Sequence, residues 1–160
     1  MNREDFDRLA HMYMNDIYKA ALVYCRNIHD AEDVTQTAFQ KLFSTTCDWE
    51  SDQHVKRWLL RVVSNESRSL WRSFGRKYSV PLDSIEGTAD EPSSTMSENS
   101  ELFYTILGLP DKYRRVVHLY YYEDYSVREI SEILGISETS VQTRLARARQ
   151  KLKNMLKEDL

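Results

Sequence analysis

The chain of 160 residues has only four glycines, three prolines and two cysteines. Glycine and proline interrupt helices and mark turns, so their scarcity favours a fold of long helices. Cys25 and Cys47 do not form a Cys-x-x-Cys pair, and we interpret them as packed thiols in a reducing compartment. The sequence also lacks an apolar run of membrane-spanning length, and its N-terminus, MNREDFDRL, is too charged for a signal peptide. We therefore expect a soluble, cytoplasmic protein.

The residue patterns of enzymes are missing as well. The four histidines are scattered, at His11, His29, His54 and His118. There is no His-Glu-x-x-His motif, no glycine-rich phosphate loop and no nucleophile elbow. The acids between Asp30 and Asp33 are better explained by helix capping and the helix dipole than by a metal. We expect no enzymatic activity, no metal or other cofactor, and no small-molecule substrate.

Helical periodicity is what the sequence does contain. Apolar side chains recur every three or four residues from Asp5 to Arg26. Asp30 is predicted to cap a second helix with a narrow apolar seam, and a third helix follows the polar loop 44–52 and ends before Gly75. The apolar positions of the three helices are Phe6, Leu9, Tyr13, Ile17, Ala20, Tyr24, Val34, Ala38, Leu42, Val55, Trp58, Leu59, Val62 and Leu70. They predict an all-α fold that begins with a three-helix bundle.

This periodicity is interrupted in residues 74–100, which contain two of the three prolines, two of the four glycines and many serines. Such a composition is typical of a flexible linker, and we favour a plain tether over a segment with its own binding role. Helical periodicity resumes at Glu101, breaks at 108–110 and continues to Tyr122. The sequence therefore predicts a second small helical domain in residues 101–160.

The segment from Ser126 to Leu152 has the sequence features of a helix-turn-helix. Ser126 and Glu129 form an S-x-x-E capping box. Gly135 is predicted to end the first helix and Ser137 to cap the second. The buried face of the second helix is predicted from the spacing of Val141, Leu145, Ala148, Leu152 and Met155. The opposite, outward face carries Gln142, Thr143, Ala146, Arg147 and Gln150.

That outward face is suited to DNA, because its amide, hydroxyl, methyl and guanidinium groups match base edges and phosphates in the major groove. The overall charge of -3 argues neither for nor against DNA binding, but six basic residues and no acidic residue occur between Glu138 and Glu158. These basic residues are Arg144, Arg147, Arg149, Lys151, Lys153 and Lys157. Such a positive strip neutralises phosphates. The alternative is a helical hairpin with a solvated polar face, since basic residues near a helix C-terminus also interact favourably with the helix dipole.

In combination, these features resemble the extracytoplasmic-function sigma factors of bacterial RNA polymerase. The resemblance rests on residues 30–43, on the segment WLLRVVSN at 58–65, on Leu109 and Pro110, and on the helix-turn-helix. None of these motifs would suffice alone, but their order and spacing cover nearly the whole chain. The resemblance implies a non-catalytic subunit that directs promoter-specific transcription initiation.

The resemblance also implies a role for each part of the chain. Residues 1–73 correspond to sigma region 2, which binds the β′ clamp of core RNA polymerase and the melted minus-ten strand. Residues 101–160 correspond to sigma region 4, which docks on the β flap and reads the minus-thirty-five duplex, and 74–100 is the linker. The implied polymerase contacts are Asp33, Gln36, Phe39 and Gln40. The implied minus-ten contacts are Trp49, Arg61, Asn65, Arg68 and Arg72. The implied minus-thirty-five contacts are Ser140, Gln142, Thr143, Arg144, Ala146 and Arg147.

Three partners are implied: core RNA polymerase, promoter DNA and an anti-sigma factor, often membrane-anchored, that would hold the protein inactive. Ser69, Ser73 and Tyr120 depart from residues common in relatives, so the promoter sequences of those relatives are not carried over to this chain. We interpret Trp58 as a core residue, and Trp71 as either core or a stacking platform. A stand-alone helix-turn-helix regulator is the alternative, although it would not need the segments 30–43 and 58–65.

Overall fold

The computed structural model describes residues 1–74 and 100–158. Every regular element within these two ranges is helical, which confirms the all-α prediction. The chain divides into two compact units. The predicted linker, 74–100, lies outside the described residues except for its two end positions.

The N-terminal unit is a bundle of three helices, as the apolar spacing predicts. They are α1 (Arg3–Cys25), α2 (Ile28–Ser44) and α3 (Asp52–Phe74), and each packs against the other two. Asn2 caps α1 by accepting a hydrogen bond from the Asp5 amide at 2.8 Å. Ion pairs from Arg8 of α1 to Asp52 of α3 (2.7 Å) and from Lys41 of α2 to Glu66 of α3 also join the helices.

The predicted cap of α2 is wrong. The N-cap is Asn27, whose side chain accepts from the Asp30 backbone amide at 3.0 Å. Asn27 and Asp30 are both good caps, and the helix begins at the earlier one because Asn27 has the extended backbone that a cap needs. Asp30 is thereby drawn into the first turn, where burial raises the pKa of its carboxyl and the nearby Asp33 carboxylate raises it further.

The buried faces of α2 and α3 are also placed differently from the prediction. On α2, Thr35 and Phe39 are buried beside the predicted seam, so that seam is wider than expected. On α3, Leu60 and Val63 are fully buried, whereas Trp58 and Val62 are only half-buried. Because α3 touches α1 and α2 on two sides, its buried stripe is broader than a single 3.6-residue period indicates.

The C-terminal unit contains α4 (Ser100–Leu107), α5 (Asp111–Val117), a π-helix (His118–Tyr122), α6 (Val127–Leu134) and α7 (Glu138–Glu158). The helix predicted as far as Tyr122 changes register at His118, whose carbonyl accepts from the Glu123 amide at 3.2 Å, five residues on. At the start of α5, the Asp111 carboxylate accepts from the buried guanidinium groups of Arg114 (3.1 Å) and Arg115 (2.9 Å).

The local signals of the helix-turn-helix are confirmed. Ser126 accepts from the Glu129 amide at 3.1 Å, and the Glu129 carboxylate accepts from the Ser126 amide at 3.0 Å. Gly135 ends α6 in the left-handed conformation, with φ of 68°, where a side chain would be strained. Ser137 accepts from the Ser140 amide at 3.1 Å and caps α7. Of the predicted buried face of α7, the side chains of Val141, Leu145 and Ala148 are buried, whereas those of Leu152 and Met155, nearer the C-terminal end of the helix, are only half-buried.

None of the helices in residues 1–74 and 100–158 is long and apolar enough to cross a membrane.

Candidate nucleic-acid and protein interfaces

The outward face of α7 is open to solvent. Gln142, Thr143, Ala146, Arg147 and Gln150 are all exposed, while the opposite side of the helix packs on α5 and α6. Amide, hydroxyl and guanidinium groups on an exposed helix face can reach base edges in a major groove. Four of the six predicted minus-thirty-five residues therefore share one accessible surface.

The other two predicted residues of α7 lie differently. Ser140 is half-buried, and its hydroxyl accepts from the Ser137 hydroxyl at 3.0 Å, so it takes part in capping the helix. Arg144 is also half-buried, because it lies on the opposite edge of α7 from Gln142 and Ala146. Neither residue belongs to the open face.

A basic stripe follows one side of α3. Its members are spaced by three and four residues and so lie above one another on the helix: Trp58, Arg61, Asn65, Arg68 and Arg72. Arg61, Asn65 and Arg72 are exposed, and Arg68 is half-buried. The structure thus brings four of the five predicted minus-ten residues onto one line, and the fifth, Trp49, lies in the loop before α3. The side chain of Trp71 lies outside the described residues.

An aromatic cluster stands at the N-terminal end of this stripe. The ring centroids of Trp49, in the loop before α3, and Trp58 are 5.3 Å apart with an interplanar angle of 70°. Trp49 also contacts His54 edge to face at 5.1 Å. His54 Nδ1 accepts from the Glu50 amide at 3.2 Å, which ties the loop to the helix. Trp58, interpreted from the sequence as core, is half-buried and extends the predicted site.

On α2, the predicted polymerase contacts separate by exposure. Asp33, Gln36 and Gln40 are exposed, whereas Phe39 is 4% exposed and cannot present its ring freely to a partner. The edge of Phe39 instead lines an open groove of about 900 Å³ between α1 and α2. Gln36 and Gln40 line the same groove, beside Phe43, which is 49% exposed. Amide groups beside an apolar groove are typical of a protein-binding surface.

Sequence reasoning missed one contact beside the α7 face. The Arg149 Nε donates to the hydroxyl of Tyr121 at 2.6 Å, and the guanidinium lies 5.7 Å from the ring centroids of both Tyr120 and Tyr121. The two partners are 28 residues apart in the chain. Helical periodicity within α7 carries no signal for such a contact.

The chain matches two protein families in the expected order. Residues 9–77 match the family described as Sigma-70 region 2, and residues 101–152 match the family described as Sigma-70, region 4. Among solved structures, the chain is similar to CnrH in complex with the cytosolic domain of CnrY, with a TM-score of 0.70 and 25% identity over 99% of this chain and 92% of that one. Its fold is also similar to the sigma factor RpoE in complex with the anti-sigma factor NepR from Bartonella quintana, with a TM-score of 0.75 and 22% identity over 98% of this chain and 99% of that one.

Two relatives from Bacillus subtilis (strain 168) match along nearly their whole lengths. The ECF RNA polymerase sigma factor SigM is 30% identical over 92% of this chain and 92% of its own. The ECF RNA polymerase sigma factor SigW is 26% identical over 98% of this chain and 91% of its own. The chain therefore belongs to the ECF RNA polymerase sigma factors.

Proposed function

We propose that this sigma factor directs promoter-specific initiation through three separate surfaces, and that it catalyses no covalent reaction itself. Residues 1–73 act as sigma region 2 and residues 101–160 as sigma region 4, joined by the linker 74–100. The observation that carries the proposal is the basic stripe of α3, hereafter the α3 stripe. In it, amide and guanidinium groups follow one another along the helix, and the Trp49–Trp58 pair lies at its N-terminal end. A stand-alone DNA-binding regulator has no use for a surface of this kind.

The α3 stripe and the Trp49 loop bind the melted minus-ten strand. An unstacked base gains free energy by stacking on an aromatic ring, and a positive helix face can follow the phosphates. Trp49 and Trp58 offer ring surface for stacking, and Asn65 offers an amide to a base edge. Arg61 and Arg72 are exposed and can approach the phosphates of the DNA strand. Because the site needs single-stranded DNA, its binding energy favours strand separation.

The open face of α7 reads the minus-thirty-five duplex. Gln142, Thr143 and Arg147 supply the polar groups, and Ala146 supplies a methyl-sized contact between them. Arg147 is the main candidate for a base contact, since a guanidinium can donate two hydrogen bonds to a guanine. Ser140 and Arg144 act at the edge of this surface.

The exposed side of α2 binds the β′ clamp of core RNA polymerase through Asp33, Gln36 and Gln40. Phe39 contributes as part of the groove floor rather than as a protruding side chain. Docking of residues 101–160 on the β flap completes the assembly. We also propose a cytoplasmic location and an anti-sigma partner, by analogy with the complex of RpoE with NepR.

Association with core polymerase tests this function. The full chain is mixed with core RNA polymerase in the absence of DNA and separated by size-exclusion chromatography. A sigma factor should elute with the core enzyme. A stand-alone regulator should elute alone, or as a dimer, and should bind duplex DNA without the polymerase. Elution apart from the core would contradict the proposal.

A further inference from the structure

The contact between Arg149 and Tyr121 orders an arginine on the surface of the C-terminal unit. Three interactions hold the guanidinium: the 2.6 Å hydrogen bond from Nε to the Tyr121 hydroxyl, and the faces of the Tyr120 and Tyr121 rings, each 5.7 Å away. The two rings themselves meet edge to face at 4.9 Å. Tyr121 is 49% exposed and Arg149 is exposed, so this arrangement lies open to solvent.

The arrangement leaves hydrogen-bond donors available on one side. Nε is the only guanidinium nitrogen of Arg149 that bonds within the described residues, and no carboxylate there forms an ion pair with this side chain. The two terminal nitrogens therefore retain four N–H donors. The Tyr121 oxygen has accepted a hydrogen bond, so its own proton can be donated elsewhere. A positive charge with several convergent donors and no acceptor fits a phosphate.

The position of the pair points to DNA phosphate. Arg149 follows Ala146 by three residues and Gln142 by seven, which places it on α7 at the border of the open face. We infer that Arg149 and Tyr121 form a phosphate-binding site that flanks the minus-thirty-five reading face and fixes the register of α7 on the duplex. This inference rests on the proposed function of α7.

The tyrosines act by holding the guanidinium in place before DNA arrives. A free arginine on a surface loses rotamer freedom when it binds, and that loss reduces affinity. Arg149 has lost part of this freedom already, because the Tyr121 hydroxyl and the two rings restrict it. Tyr121 is thus both a positioning residue for Arg149 and a second donor to the same phosphate.

The test compares four variants of the full chain, each assembled with core polymerase, on a duplex promoter fragment and on the same fragment with a scrambled minus-thirty-five element. The variants are Arg149→Ala, Tyr121→Phe, Arg147→Ala and, as a control for charge, Lys112→Ala. Binding is titrated over a series of salt concentrations. The salt slope is the slope of log affinity against log salt concentration. Loss of a phosphate contact should reduce its magnitude by about one and should weaken binding to both DNA fragments equally.

Arg149→Ala should bind both fragments about tenfold more weakly, with the reduced salt slope. Tyr121→Phe should bind both fragments about threefold more weakly and keep the wild-type salt slope, since the charge of Arg149 remains. Lys112→Ala should behave as wild type. Arg147→Ala should lose affinity mainly for the promoter, so that its preference over the scrambled fragment falls.

An unchanged salt slope in Arg149→Ala, with Arg147→Ala still losing its preference, would overturn this inference and leave the function of α7 intact. Wild-type behaviour of both arginine variants would instead contradict the proposed reading face. Affinity for core polymerase without DNA is measured in parallel. A loss there in Arg149→Ala would assign the pair to a protein contact and would also overturn the inference.

Discussion

Trp49 and Trp58 meet edge to face at 5.3 Å, although one belongs to the loop before α3 and the other to the helix itself. Edge-to-face aromatic pairs add about 0.5–1.5 kcal/mol to the free energy of the area they bury. The contact therefore restrains the loop against the first turns of α3. It also explains how a residue between two helices can present a ring in a defined place to a nucleic-acid base.

The first prediction concerns this pair. Trp49→Ala should weaken binding of a single-stranded minus-ten oligonucleotide by the holoenzyme by roughly 1–3 kcal/mol, since one stacking surface is lost. Trp58→Ala should also weaken it, because Trp49 then loses its support. The two losses should not add in the double variant. A fluorescence titration of all three checks this, and strict additivity would show that the two rings act independently.

The second prediction separates strand capture from recruitment. Asn65 is exposed on the α3 stripe, so Asn65→Ala should leave assembly with polymerase and binding to duplex DNA almost unchanged. Open-complex formation should fall, because up to about 1–3 kcal/mol of capture energy per base is lost. Permanganate footprinting of the melted bases measures this effect.

A pre-melted promoter bubble is the control for this variant. It should recover part of the loss, since the DNA no longer has to be opened, while direct affinity for the minus-ten strand stays low. Normal melting by Asn65→Ala would mean that Asn65 is a structural helix residue and that the Trp49 loop reads the strand without it.

The third prediction tests the polymerase surface. Changing Asp33 and Gln36 together to alanine removes two exposed polar groups of α2 without touching its buried residues. Affinity for core enzyme should fall about tenfold or more, as for loss of interface residues that each contribute roughly 1 kcal/mol. Competition against the labelled wild-type protein measures it.

A matched control removes the same two kinds of group elsewhere. Asp48 and Gln53 are also exposed, and they lie in the loop before α3 and at its start. Their double alanine variant should compete as well as wild type when no DNA is present. Equal losses in both double variants would argue against α2 as the specific contact.

The fourth prediction concerns pH. The hydrogen bond from Arg8 lowers the pKa of the Asp52 carboxyl below its ordinary value of 3.8, so the charged form favours the folded state. This stabilisation is present above the ordinary pKa and is lost as the pH falls through the lowered pKa of the folded protein. Asp52→Asn should therefore lower the Tm at neutral pH, and its difference from wild type should shrink below about pH 4.

Thermal unfolding followed by circular dichroism over a range of pH checks this. Asp48→Asn is the control, because the Asp48 carboxylate forms no ion pair within the described part of the chain. A Tm difference for Asp52→Asn that does not change with pH would indicate a packing effect rather than the ion pair.

Local signals in the sequence were enough to predict much of the fold. The Ser126–Glu129 capping box and Gly135 each specify a geometry through neighbouring residues, and both are found as predicted. Where two local signals compete, as Asn27 and Asp30 do, the sequence does not show which one caps the helix. Phe39 was expected to contact the polymerase, but it is buried and its ring meets that of Phe6 in α1 edge to face, with 6.4 Å between the ring centroids. The sequence of α2 alone does not indicate that contact.

The candidate sites were predictable to a similar extent. The exposed face of α7 follows from helical spacing, and its five exposed members were expected as a set. Contacts between distant residues were not: Trp49 with Trp58, and Arg149 with Tyr121, join different elements. The π-helix at 118–122 was also missed, since its sequence, HLYYY, has no alternation of apolar and polar residues from which the hydrogen-bond register could be read.

The fifth prediction is that the chain makes core RNA polymerase start at particular promoters, and start-site mapping measures this. Core polymerase is incubated with genomic DNA fragments from the same bacterium, with and without the full chain, and the 5′ ends of the transcripts are mapped. The chain should produce a discrete set of transcription start sites. The DNA upstream of these sites should share one sequence near position minus thirty-five and another near position minus ten. Arg147→Ala should weaken all of them, since each good base contact contributes about 1–3 kcal/mol. The same start sites with and without the chain would contradict its function as a promoter-specificity subunit.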